Sequence, residues 1–270
     1  MPSVFRLALC TTWLVSASMA GAFTRHGLSA QQPSRCVTCH QTLPEASQAG
    51  HGFSAWRGSG HATAGVGCEA CHGGDPSATD QTAAHRTVVR SSARASPLYY
   101  TRIPITCGRC HAAQLAYFRS SVHFARLESD GRGPNCVTCH GAMATSVLTP
   151  EQVLGTCSAC HVAGGSAPVD KARESAPVLF LVRSEAILYH VVSSVATRAP
   201  AARAARARAP LASAQRNLSA AAEVWHTFRL DSASARLAAA QADVLSAWAA
   251  LGYAAPPPRT SARPATRQRP

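Results

Sequence analysis

Five copies of one short motif, Cys-x-x-Cys-His, lie within the first 161 residues of this 270-residue chain. They occupy residues 36–40, 68–72, 107–111, 136–140 and 157–161. Ten of the eleven cysteines fall inside them, whereas a shuffled chain of this composition would contain roughly 0.02 such motifs. The repeated spacing therefore reflects a chemical requirement.

Cys-x-x-Cys-His is the attachment pattern of c-type haem. Two thiolates add across the vinyl groups of the haem, and the adjacent histidine binds the iron from the proximal side. The motifs predict five covalently bound haems, attached through Cys36, Cys39, Cys68, Cys71, Cys107, Cys110, Cys136, Cys139, Cys157 and Cys160. The predicted proximal iron ligands are His40, His72, His111, His140 and His161.

Zinc and disulfides are the two other uses of closely spaced cysteines. A zinc site needs four ligands, usually from two paired elements, which fits an odd number of identical motifs poorly. A disulfide framework is common in exported chains, but it gives no reason for a histidine after every second cysteine. The motif pattern favours haem over both.

The distal side of each iron decides what such a protein does. Histidine there gives a low-potential electron carrier, methionine raises the potential, and an open position allows chemistry on a small molecule. Seven histidines lie outside the motifs, enough for five irons with two to spare. Met143 lies three residues beyond His140, which makes it an awkward ligand for another iron.

Two segments of the chain resemble the multihaem cytochrome c superfamily that contains the nitrifier tetrahaem cytochrome and hydroxylamine oxidoreductase. One is Ser59-Gly60-His61 followed by the second motif and Gly-Gly-Asp-Pro; the other is Ser121-Val122-His123 followed by Pro-Asn and the fourth motif. The resemblance covers about residues 35–165. It implies that His61 and His123 are distal ligands to neighbouring haems, and His85 has a similar setting.

Two more histidines complete the expected distal set. His51 precedes the Trp56 to His61 stretch, and His226 lies between Trp225 and Phe228 in a helical segment. In the resembled superfamily a trailing helical segment often packs against the haems, which favours His226. The alternative for His226 is a helix-surface histidine, and His190 and His26 are weaker candidates still.

The N-terminus predicts export. Residues 1–22 combine Arg6, an apolar run over residues 7–15 and small residues near position 20, as in a secretory signal. The run is short of the roughly 20 residues that a membrane span needs. Residues 177–195 are interrupted by Arg183, Glu185 and His190, so no transmembrane segment is predicted in the mature chain. The bacterial periplasm is the predicted location.

The net charge of +13 is uneven, because residues 166–270 carry 14 basic and 6 acidic groups against 12 and 7 in residues 1–165. A basic surface can bind nucleic acid, but an exported cytochrome rarely meets any. We expect redox partner proteins instead, with a membrane quinol-linked donor and an exported acceptor.

The pattern predicts a mainly α fold with much irregular structure. Residues 23–166 form the predicted pentahaem domain, built from short helices and loops wrapped around packed haems, with each attachment motif at the end of a short helical turn. Residues 175–253 show helical periodicity, with Leu237, Val244 and Leu251 recurring at seven. They predict three amphipathic helices, the last two as a hairpin, with Asp231 as an N-cap and Gly252 at the C-terminal stop. Residues 254–270 form a predicted disordered, basic, Pro-rich tail.

These features predict an exported pentahaem cytochrome that carries single electrons. The main alternative is a redox enzyme acting on a small nitrogen or sulfur compound at one open iron. The chain lacks the Cys-x-x-Cys-Lys motif of the pentahaem nitrite reductases, which weighs against that alternative. A third hypothesis is a non-catalytic subunit or sensor whose C-terminal helices bind a partner.

Overall fold

The computed structural model of this chain describes residues 34–47, 50, 52–165 and 167–254. The predicted signal peptide, His26, His51 and nearly all of the predicted tail lie outside these described residues. Within them the secondary structure is thirteen α-helices and two short 3-10 helices, with no β-strand. The predicted mainly α fold with much irregular structure is therefore confirmed.

Ten short helices, α1 to α10, form the motif-bearing half of the described chain. Glycine, proline and serine are frequent between them, which keeps each helix to nine residues or fewer. Their bounds are Arg35–His40, Phe53–Arg57, Gly60–Thr63, Glu69–His72, Gln81–Ala84, Ile103–Gly108, Ala112–Arg119, Val122–Asp130, Cys136–His140 and Pro150–Ser158. A 3-10 helix, Tyr100–Arg102, precedes α6.

Three long helices follow: α11 (Asp170–Arg198), α12 (Ala201–Val224) and α13 (Leu230–Ala250). The 3-10 turn Trp225–Thr227 joins α12 to α13, which lie against each other along their length as the predicted hairpin. The α13 helix ends as predicted, with Gly252 at a φ of +90° just beyond the C-cap. The prediction for its start is wrong, because Arg229 is the N-cap and Asp231 lies inside the first turn.

The seam between α12 and α13 is made largely of alanine. Ala207, Ala214 and Ala221 recur every seven residues on α12 and are completely buried. On α13 the predicted stripe of Leu237, Val244 and Leu251 is buried against them. Small side chains let two helix backbones approach closely, so the alanines, and not the leucines of α12, form the centre of this interface.

Helix α11 packs on α10, α12 and α13 but leaves a large apolar surface outside. Val192 is buried, whereas Phe180, Ile187 and Val191 are at least half exposed. By length and composition alone α11 is able to cross a membrane, a test that core helices of soluble proteins also pass. Arg183, in its middle, donates hydrogen bonds to the carbonyls of Val147 and Leu148 in the motif-bearing half.

Candidate haem-binding sites

Each of the five motifs lies in or at the end of a short helix, as the sequence analysis expects. Motifs one, two and four end α1, α4 and α9, while the third and fifth begin in the last turns of α6 and α10. Within the described residues, none of the ten motif cysteines is joined to another by a disulfide. Within the described part of the chain, no three His, Cys, Asp or Glu side chains are grouped so as to hold a metal ion.

Four motif histidines each face a histidine from outside the motifs. The ring centroids of His40 and His85 lie 6.0 Å apart, and His111 and His61 have the same separation. His161 and His123 are also 6.0 Å apart, and His140 and His226 are 6.3 Å apart. Four of the five predicted distal histidines are thus brought opposite a predicted proximal one.

This separation has a chemical meaning. A metal–imidazole bond is about 2 Å long, and the ring centre lies about 1 Å beyond the nitrogen, so two imidazoles on opposite sides of one metal ion have centroids roughly 6 Å apart. Two rings in direct stacking contact would lie closer. Each of the four pairs therefore leaves room for one iron between its rings, and the residues present fit a haem with two axial histidines.

Hydrogen bonds that Nδ1 makes with neighbouring groups orient most of these rings. Nδ1 of His85 donates to the carbonyl of Gln81 at 2.8 Å, and Nδ1 of His140 to that of Ser146 at 2.9 Å. Nδ1 of His161 donates to Pro168 at 2.7 Å, and Nδ1 of His226 to Ala222 at 3.1 Å. Histidine ligands commonly donate their second ring N–H to a carbonyl, which leaves the other nitrogen for the metal.

The Ser-x-His pattern positions two of the distal histidines. Ser59 is the N-cap of α3 and accepts a hydrogen bond from the backbone N–H of Ala62 at 3.2 Å. Ser121 caps α8 in the same way, accepting from Phe124 at 3.1 Å. Both serines are 4% exposed. Because the cap fixes where the helix begins, the histidine two residues later is the second residue of each helix.

The other two distal histidines lie at the ends of short elements. Asp80 caps α5 and accepts from Ala83, and His85 is the C-cap of that one-turn helix. His226 lies in the 3-10 turn between α12 and α13, so the C-terminal hairpin delivers it to the fourth motif. Burial lowers the pKa of His226 and of His123, which favours the neutral imidazole that binds a metal.

A short loop after the fourth motif contacts two predicted ligands at once. Oγ1 of Thr145 lies 2.9 Å from Nδ1 of His61, and the carbonyl of Ser146 accepts from His140. Thr145 has a φ of +41°, an uncommon conformation for a β-branched residue. Sequence reasoning missed Thr145 and Ser146, because neither belongs to a motif and His61 is 84 residues from Thr145.

The thiols reveal which motifs are neighbours. Burial, with the nearby thiol of Cys36, raises the pKa of Cys68 to about 11. Burial and Cys107 raise the pKa of Cys71, and a hydrogen bond with Cys136 followed by burial raises that of Cys107. Burial, Cys157 and Cys160 raise the pKa of Cys139 to about 11. Consecutive motifs therefore lie near one another, and the third and fourth are joined by the hydrogen bond between Cys107 and Cys136.

The histidine pairs are interleaved along the chain. The first two pairs contain His40, His61, His85 and His111, in that order along the chain. One member of each pair therefore lies between the two members of the other pair. In the last two pairs the order is His123, His140, His161 and His226. Helix α7 is the stretch of chain between the two interleaved sets.

The remaining candidates have different places. His72 ends α4 and is half-buried, and His51, the fifth predicted distal ligand, lies outside the described residues. His190 is exposed on α11 with its ring 5.4 Å from that of Tyr189. The side chain of Met143 lies against Gly52, where a Cβ would come within 2.6 Å of it. Arg109, inside the third motif, donates to the carbonyl of Ala70 in the second at 2.6 Å.

A family model described as cytochrome c554 and c-prime matches residues 14–73, a segment that contains the first two motifs, Ser59 and His61. No curated protein and no solved structure matches the chain. The match relates this segment to c-type cytochromes that carry haem and transfer electrons.

Proposed function

We propose that this chain is an exported pentahaem c-type cytochrome that carries single electrons from a membrane quinol-linked donor to a periplasmic or extracellular acceptor. The observation that carries the proposal is the set of four histidine pairs, each 6.0–6.3 Å apart and each including one motif histidine. The family match over residues 14–73 supports the haem c class.

Under this proposal, each histidine pair belongs to one haem site. His40 with His85, His111 with His61, His140 with His226 and His161 with His123 hold the axial positions of motifs one, three, four and five. We assign His51 to the second motif on sequence grounds. Bound haem supplies a one-electron couple whose potential depends on its axial ligands, hydrogen bonds and burial. The protein fixes these surroundings and keeps successive motifs adjacent.

An electron carrier fits these residues better than an enzyme does. An enzyme of this class needs an iron with a free position and an acid or base beside it. In the four described pairs, the place where a substrate would bind is taken by His85, His61, His226 or His123. The proximity of consecutive motifs between Cys36 and Cys160 supports a path along the motifs, with partners docking near its two ends.

A haem count combined with electron paramagnetic resonance (EPR) tests the proposal. We expect the pyridine haemochrome assay and the intact mass to give five haems per chain, and the oxidised protein to be entirely low-spin. Replacing Cys68 and Cys71 by alanine removes one haem and leaves four. Fewer than five haems in the native chain, or a high-spin signal in the resting protein, contradicts the proposal.

A further inference from the structure

His61 and His123 lie in the same kind of local structure but differ in their surroundings. Each is the second residue of a helix capped by a buried serine, and each ring lies 6.0 Å from that of a motif histidine. Nδ1 of His61 has Thr145 Oγ1 at 2.9 Å. Nδ1 of His123 is buried, and no described residue lies within hydrogen-bonding distance of it.

Beside His123 the structure has aromatic rings instead of a hydrogen-bond acceptor for Nδ1. The edge of Phe228 meets its ring at a centroid distance of 4.2 Å. Phe118 packs edge-on against Phe124 at 5.4 Å and against Phe228 at 6.3 Å, so the three rings form one apolar cluster beside the histidine. Phe228 itself has a φ of +57°, which places it on this cluster at the turn before α13.

We propose that the pair of His123 and His161 forms an exchangeable site, at which a small uncharged ligand of ferrous haem, such as a diatomic gas, binds by displacing His123. The proposal rests on the proposed function, because it assumes a haem on the fifth motif. It goes further by naming which of the closed positions opens and what class of ligand enters.

The physical reason is the missing acceptor. A hydrogen bond from the second ring nitrogen makes an imidazole a stronger ligand, and loss of such a contact costs about 10–100-fold in metal affinity. A buried N–H without a partner is itself unfavourable, and moving the ring away from the iron relieves that cost. His123 leaves as a neutral imidazole, so one iron–nitrogen bond breaks, one iron–ligand bond forms and no proton or electron moves.

The lining determines which ligands fit. Phe228, which contacts His123, and the rings of Phe118 and Phe124 packed in the same cluster offer no hydrogen-bond donor or charge to an anion such as nitrite. An uncharged diatomic molecule needs neither, and it is small enough to enter where a single imidazole has moved. The ligand class is therefore set by the same apolar cluster that leaves Nδ1 of His123 without a partner.

Carbon monoxide is the probe, added to the fully reduced whole protein. We expect one equivalent to bind per chain, at a rate that becomes independent of gas concentration because His123 must leave first. His123→Ala should still bind one equivalent, with a rate proportional to carbon monoxide and at least about tenfold faster. Thr145→Val, which removes the contact at Nδ1 of His61, should bind a second equivalent.

Several results would overturn the inference. The first is that the native protein binds no carbon monoxide. The second is that His123→Ala binds two equivalents, and the third is that Thr145→Val does not bind a second equivalent. If His123→Ala fails to fold, the native stoichiometry and Thr145→Val still decide. Five low-spin haems without gas binding would refute only this inference, whereas fewer than five haems would refute the proposed function.

Discussion

Removal of His226 tests whether the C-terminal hairpin completes a haem site. His226 lies opposite His140 with the two rings 26° from parallel, and both belong to one proposed site of five. Replacing it by alanine leaves the fourth motif without its distal imidazole while every attachment cysteine remains. We therefore expect five haems per chain and about one-fifth of the iron to become high-spin in the oxidised state.

The same variant should lose stability. Ligation by His226 closes a loop of 86 residues from His140, and a cross-link over a loop of this size restricts the unfolded chain by about 4–5 kcal/mol. A reversible axial bond gives at most that much, so we expect a loss of about 2–4 kcal/mol in the free energy of unfolding. Denaturant titration followed by circular dichroism measures it.

The matched control is His190→Ala. His190 is exposed on α11, and its ring contacts Tyr189 and not a motif histidine. EPR spectra and the unfolding midpoint should both match those of the native protein. The reasoning is refuted if His226→Ala keeps five haems that are all low-spin, or if His190→Ala produces the high-spin signal instead.

Three further predictions follow from local geometry. Asn135→Ala removes a capping box and the donor to the carbonyl of Tyr100, so the free energy of unfolding should fall by about 2–4 kcal/mol in denaturant titration. Ala214→Leu overpacks the fully buried seam and should cost about 1–3 kcal/mol, whereas Ala205→Leu on the exposed face should cost nothing measurable. EPR of the oxidised protein should contain a rhombic low-spin signal from the pair at 26° and a strongly anisotropic one from the pair at 81°; one uniform signal would contradict the ring orientations.

Local patterns in the sequence predicted much of the molecule. The motifs at helix ends, the α12–α13 hairpin and the buried stripe of Leu237, Val244 and Leu251 depend on residues near one another in the chain. The alanine seam escaped prediction because burial of a small side chain depends on its partner helix, and periodicity alone favours the larger Leu211 and Leu218. Asp231 was a reasonable N-cap by residue type, but the observed N-cap, Arg229, lies two residues earlier.

The candidate sites were predictable as sets of residues but not as pairs. The family resemblance of the Ser-x-His segments and the apolar setting of His226 single out candidate ligands, while nothing local says which motif each one faces. His40 pairs with a histidine that follows it, and His111 with one that precedes it. Thr145, Ser146 and Phe228 carry no signature of their own, because their roles come from contacts with residues distant in the chain.

The interleaved order of the pairs also bears on how such a chain matures during export. A motif whose partner histidine precedes it, as in the third and fifth, has both ligands available once it has crossed the membrane. The fourth motif must wait for the 86 further residues that lead to His226. On the proposed ligation, its iron is the last to acquire a partner, and a low-spin signal from that site reports that translocation has reached the turn that precedes α13.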